Sequence, residues 1–149
     1  MTQIGIISDT HSVIDNKALN LFKGLDIILH AGDIGNSNVL VELESIAKTI
    51  AVYGNTDDFN IRSKTKKEEE IILDGFKIHL SHDEEVDSKD FDIIIKGHTH
   101  IPIISFEGKT LLINPGSANA KRSRPVEKPS LVICELNEKK IISSNLLFF

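Results

Sequence analysis

The stretch Asp92-Ile93-Ile94-Ile95-Lys96-Gly97-His98-Thr99-His100-Ile101-Pro102 decides how this chain is read. Three consecutive isoleucines mark a buried β-strand. The strand stops at a glycine and two histidines one residue apart. With six histidines in 149 residues, one such pair is weak on its own. Its weight depends on what ends the other strands.

The other apolar runs end in the same way. "IGIIS" runs into Asp9 and His11, "IILHAG" into Asp33, and "IAVYG" into Asn55, with Asp57 and Asp58 just behind. "FKIHLS" runs into His82, and "DIIIKG" into His98 and His100. Three of these five endings pass through a glycine, Gly32, Gly54 or Gly97, which lets backbone turn sharply and approach a neighbour closely. Singly, an Asp or Asn after a strand is most often a turn former or a helix cap, and a single histidine is more often a surface or satisfied core group. His30 and His79 are assigned to that class, with His30 also placed to support a ligand from behind. The coincidence at five strand ends is what outweighs the ordinary reading.

The chain between these endings alternates strand and helix in its first third. "NKALNLFKGL" carries Leu19, Phe22 and Leu25 at helical spacing, and "NSNVLVELESIAK" is a second helix capped by Asn36 or Ser37. Such alternation implies parallel strands joined by right-handed crossovers. Parallel strands gather their carboxyl ends on one rim, where ligands bind. The later sequence reads as hairpins about Asp74-Gly75, Gly108 and Asn137-Glu138. The fold expected is α/β: two mixed β-sheets packed face to face, flanked by helices, in one domain spanning 1–149. "NIRSKTKKEEE" is the expected mobile loop, and its "KKEEE" part, Lys66–Glu70, a solvated strand edge or loop.

The rim would then hold two carboxylates, one amide and four imidazoles. Oxygen and nitrogen ligands without thiolate suit Mn, Fe, Zn, Co or Ni, and seven ligands suit two ions sharing a carboxylate. Composition narrows the classes further. The net charge is −5, from 17 basic and 22 acidic residues, with one dense basic cluster at Lys121–Pro125. That balance disfavours a nucleic-acid binder or a nuclease. No window approaches a membrane helix, and the N-terminus lacks the pattern of a signal peptide. A cytoplasmic protein is expected, with the single cysteine, Cys134, buried in a strand.

Asp9-x-His11, "HAGD", "GN", a strand-end His82 and "GHTH" together resemble the motifs of the calcineurin-like metallophosphoesterases. "GNTD" and "INPGS" resemble its small prokaryotic phosphodiesterase branch. The resemblance spans Gly5 to about Ser117. It implies a four-layer α/β/β/α sandwich and a dinuclear metal centre, most often with Mn, that activates water for in-line attack on phosphorus. Carried over by motif, Asp9, His11 and His100 hold one ion, Asn55, His82 and His98 the other, and Asp33 bridges. Asp33, Asn55 and Asp57 are the expected catalytic residues. Asn55, Arg122 and Arg124 are the expected contacts to a small phosphoester substrate, and a homo-oligomer is left open.

Two positions depart from the pattern. Thr56 stands where larger relatives have a histidine general acid and the small branch often has cysteine, which leaves Asp57 as the first substitute. Asp83 follows His82 where glycine is usual, bringing Asp83, Glu84 and Glu85 near the site or out to solvent. The alternative function is a protein-interaction scaffold of the same fold, like the retromer subunit with its degraded metal site. Retention of all seven ligand-type residues favours the enzyme.

Overall fold

The computed structural model describes residues 1–122 and 128–149. The first sheet is built from β1 (Thr2–Ile7), β2 (Ile27–His30) and β3 (Lys48–Ala51), which run parallel, and from β9 (Ser130–Asn137) and β10 (Lys140–Phe148), added antiparallel in the order β10-β9-β1-β2-β3. The second sheet contains β4 (Glu68–Leu73), β5 (Phe76–Ser81), β6 (Ile93–Ile95), β7 (Ile103–Glu107) and β8 (Thr110–Asn114), in the order β4-β5-β6-β8-β7. Its central strands β5, β6 and β8 are parallel, and β4 and β7 close it antiparallel. Both sheets are therefore mixed, as expected.

Alternation places the two cores. On β1, Ile4 and Ile6 face the second sheet, where they meet Ile78, Leu80, Ile93, Ile95, Leu111 and Ile113 in one buried cluster. Ile7 and Ile28 face the other way, onto α1 (Asn16–Phe22), α2 (Ser37–Glu44) and α3 (Phe59–Lys64). Cys134 lies in the inter-sheet cluster, and burial pushes its thiol pKa up to about 11, so it is an inert core residue. The fourth layer is thin: among the described residues its regular structure is the single 3-10 turn Ser88–Asp90. On that outer face His79 is buried with neither ring nitrogen hydrogen-bonded, so it is not the satisfied core residue expected. Its nearest carboxylate, Glu68, is 3.7 Å away.

Local signals explain most element boundaries. Asn36, not Ser37, caps α2, its side chain accepting from Asn38 N–H at 2.9 Å. α1 stops at Phe22, short of Leu25, because Gly24 adopts φ 84° and turns the chain. Asp74 and Gly75 both take positive φ in the β4–β5 hairpin, whereas the β9–β10 turn falls one residue late, on Glu138 and Lys139. Glu68–Glu70 form part of edge strand β4, as read. The expected mobile loop is instead structured. Asp58 caps α3 by accepting from Ile61 N–H at 3.1 Å, buried Ile61 seats the helix, and Lys66 bridges Val52 before β4 begins.

Candidate metal centre

Six parallel strands in two sheets send their carboxyl ends to one rim. β1 delivers Asp9 and His11, β2 Asp33, the segment after β3 Asn55, β5 His82, and β6 His98 and His100. All seven residues meet there. Asp9 is fully buried; its Oδ1 lies 3.1 Å from His100 Nε2 and 3.8 Å from His11 Nε2, and those two nitrogens are 3.4 Å apart. Asn55 Oδ1 lies 2.9 Å from His82 Nε2 and 3.2 Å from His98 Nδ1. Between these groups, Asp33 Oδ2 is 3.3 Å from His82 Nε2 and 3.7 Å from His11 Nε2. Asp9 also reaches toward His82, at 4.0 Å.

The donor set fits divalent cations on three grounds. The first is tautomers. His82 Nδ1 lies 2.8 Å from the Ala31 carbonyl and His100 Nδ1 2.7 Å from that of Arg122. A carbonyl only accepts, so each Nδ1 carries a proton and each Nε2 is the nitrogen turned to the cluster, where an ion would displace its proton. The second is charge. Burial works to raise the pKa of Asp33 and to lower that of His82, yet their mutual hydrogen bond and the Thr56 N–H on Asp33 hold the carboxyl well below its usual range and raise the imidazole. The hydrogen bond to Asp9 likewise raises His100. A pocket that draws protons onto its histidines draws cations for the same reason. The third is strain. Asp9, His11, Asp33, His98 and His100 all have φ between 44° and 71°, a region that costs non-glycine residues of order 1–3 kcal/mol each and clusters at functional sites.

The glycines are there for clearance. A Cβ on Gly97 would lie 2.0 Å from Ser8 Oγ and 2.7 Å from Asp9 Oδ2, and one on Gly54 would lie 2.2 Å from Asp33 Oδ1. Each lets the end of one strand press against a carboxylate from another.

The remaining expected residues divide. Asp57 is corrected: its carboxylate is buried and accepts from Ile34 N–H at 3.1 Å, Gly54 N–H at 2.9 Å and Gly35 N–H at 2.8 Å. Both oxygens are committed as acceptors, tying the Asp33 loop to the Asn55 loop, so Asp57 is a clamp and not a proton donor to the rim. Arg122 lines a cleft of about 510 Å³ with His11, Val13, His100, Asn119 and Lys121; burial and then the nearby Arg122 guanidinium lower the pKa of His11. Arg124 lies outside the described residues. Asp83 is mostly exposed, 3.8 Å from His98 Nε2, while Glu84 and Glu85 pair with Lys67 and Lys96 at the surface.

Other side chains brace the rim from behind. Ser8 Oγ donates to Asp9 Oδ2, and Ser117 Oγ donates to the Asp9 carbonyl at 2.8 Å. Asn114 donates to the Gly97 carbonyl at 2.8 Å, bracing the turn that carries both rim histidines of β6. The "INPGS" segment pointed to Asn114 and Ser117; nothing pointed to Ser8 beyond its place before Asp9.

A family model described as "Calcineurin-like phosphoesterase superfamily domain" matches residues 2–139. The chain belongs to the calcineurin-like phosphoesterase superfamily. It is thus a phosphoesterase of a metal-dependent family, and the curated relatives place it in the small prokaryotic branch. It is 32% identical to a "Probable metallophosphoesterase" of Methanothermobacter thermautotrophicus over 93% of this chain and 88% of that protein. It is 33% identical to a phosphodiesterase of Methanocaldococcus jannaschii over 76% of this chain and 82% of that one. Among solved structures, Vps29 of Entamoeba histolytica in complex with zinc shares the fold, with TM-score 0.79 and 23% identity over 99% of this chain and 98% of that one. Among the described residues, no helix is long and apolar enough to cross a membrane.

His30, behind the rim, yields a prediction. It is fully buried, its Nδ1 accepts from Gly32 N–H at 3.1 Å, and its Nε2 donates to Thr10 Oγ1 at 3.0 Å. Burial lowers its pKa from 6.5 to about 4. Above pH 6.5 the group is neutral folded or unfolded. Between pH 6.5 and about 4 only the unfolded chain takes up the proton, so stability falls on acidification, by about 3 kcal/mol across the window. Urea unfolding of chelator-treated protein should therefore show a steeper loss over that range than His30→Gln; equal slopes would contradict the assignment.

Proposed function

We propose that this phosphoesterase is a phosphodiesterase working with a dinuclear centre, with Mn the first candidate ion and Ni, Fe, Zn and Co the others. The observation that carries the reading is the position of Asp33 Oδ2, 3.3 and 3.7 Å from imidazole nitrogens of two separate donor groups. A shared carboxylate belongs at that point. Asp9, His11 and His100 would hold one ion and Asn55, His82 and His98 the other. Bound there, such a pair supplies Lewis acidity toward phosphoryl oxygens and a water acidic enough to attack phosphorus near neutral pH.

The chain's own residues supply the rest. Asn55 turns its amide oxygen to His82 and His98, leaving the amide N–H groups as donors for a phosphoryl oxygen. The Arg122 cleft lies on the His11–His100 side of the cluster. A second, of about 370 Å³, lies on the Asn55–His82–His98 side, so there is room for an ester arm on each. The guanidinium of Arg122 suits an anionic substrate. Two-sided access and the phosphodiesterase among the relatives together support a diester over a monoester. The scaffold alternative is supported by likeness of fold to Vps29 alone, at 23% identity.

Proton supply shapes the expected kinetics. Asp57 is committed to backbone N–H groups, and Thr56 touches Asp33 through its main chain; a threonine hydroxyl is no acid near neutral pH. The leaving oxygen then departs as an anion. For Mn-loaded protein acting on aryl phosphodiesters, log kcat/KM should fall steeply with rising leaving-group pKa. Thr56→His should flatten that dependence, since a general acid contributes about 10²–10⁴-fold where the leaving group is poor. A flat plot for the parent would overturn this reading.

The shared carboxylate is tested separately. Asp33→Asn removes charge opposing two cations and should lose at least one metal equivalent and at least ~10-fold in activity, as changes even behind the ligands cost 10–100-fold. Full activity with two equivalents retained would refute the assignment, and metal-loaded parent inert on every diester and monoester would favour the scaffold.

A further inference from the structure

The loop carrying Asn55 has no ladder of its own to hold it. It runs from the end of the first sheet to α3, and Asn55 is exposed, yet its side-chain oxygen must stay between two imidazoles. Asp57 gathers N–H groups of this loop and of its neighbour. The carbonyls need a cation, and one is present. Arg62, on α3, donates from Nε to the Asp57 carbonyl at 2.8 Å, and its Nη2 reaches the carbonyls of Asn55 at 3.3 Å and Gly54 at 3.5 Å. The guanidinium carbon sits 4.7 Å from the centroid of the Tyr53 ring.

We propose that Arg62 is a positioning residue that fixes Asn55 for its ion by gripping the main chain of residues 54–57. The proposal rests on the two-ion reading above. Three carbonyl dipoles converging on one point repel one another unless a cation lies among them. A guanidinium can meet them together because its donors lie in one rigid plane, and the Tyr53 face holds that plane flat. A lysine ammonium is a point charge on a flexible stem and cannot span the same three oxygens. The grip has a fixed origin, since the Asp58 cap sets where α3 starts and buried Ile61 seats the helix in the core. With Nε and Nη2 engaged by backbone, Arg62 acts on the ion site through Asn55.

Calorimetric titration with Mn²⁺ tests this. Parent protein should take two equivalents. Arg62→Lys and Arg62→Gln should keep one at the parent affinity and bind the other 10–100-fold more weakly. At subsaturating Mn²⁺ kcat should fall with the lost equivalent, while KM for a nitrophenyl diester stays within about 2-fold. Tyr53→Leu, which removes the ring and leaves the arginine, should shift the same equivalent by less. Unchanged binding of both equivalents in both Arg62 variants overturns the proposal and leaves the two-ion reading standing. So does equal weakening of both equivalents together with a lowered Tm, which is a general structural loss. A parent that binds no Mn²⁺ overturns both readings.

Discussion

Two buried carboxylates, at the ends of the adjacent parallel strands β1 and β2, set the terms for the rest of this molecule. Asp9 and Asp33 are almost completely shielded from water, and an ionised carboxylate taken out of water costs several kcal/mol unless positive charge or donors are supplied. The surrounding chain supplies them from every direction. Thr56 and His98 give backbone N–H groups, Ser8 a hydroxyl, and His11, His82 and His100 imidazoles. The second sheet carries two of these three imidazoles, those of His82 and His100, and packs through Ile78, Leu80, Ile93 and Ile95 onto the first. The inter-sheet core therefore sets the distance between the two halves of the site, and the glycines at positions 54 and 97 let the halves touch.

That arrangement explains why local backbone strain is tolerated. Five rim residues sit in the left-handed region, a cost the packed sheets below must outweigh. Asp57 and Arg62 extend the same logic to the loop that carries Asn55, one binding N–H groups of this loop and of the Asp33 loop, the other its carbonyls. Carboxylate and guanidinium never meet here; each is neutralised against backbone dipoles, so the loop is held without an ion pair beside the reaction.

The rim was legible because polar residues interrupt long apolar runs at the same point in strand after strand. Parallel order then follows from the β-α-β alternation. Other features were hidden because backbone atoms carry them. An Asp two residues after Asn55 reads as an acid or a cap; only the three N–H groups converging on it reveal a clamp. Helix α3 has one buried residue, Ile61, so no apolar period announces it, and a six-residue helix forms only because a cap and tertiary packing secure it. The Nε2 atoms of His82 and His100 are aimed at the rim by the carbonyls of Ala31 and Arg122 on Nδ1, which no side-chain pattern records. The basic cluster was legible as charge but not as geometry, for it is the Arg122 carbonyl that orients His100.

The central claim is that seven side chains from five strand ends form one site for two ions sharing Asp33. Crystals grown with Mn²⁺ and measured at the manganese absorption edge test it most directly. Two anomalous peaks are predicted at the rim, one ligated by Asp9, His11 and His100, the other by Asn55, His82 and His98, with an Asp33 oxygen on both. A single peak, or a pair in which Asp33 ligates neither ion, would contradict the account.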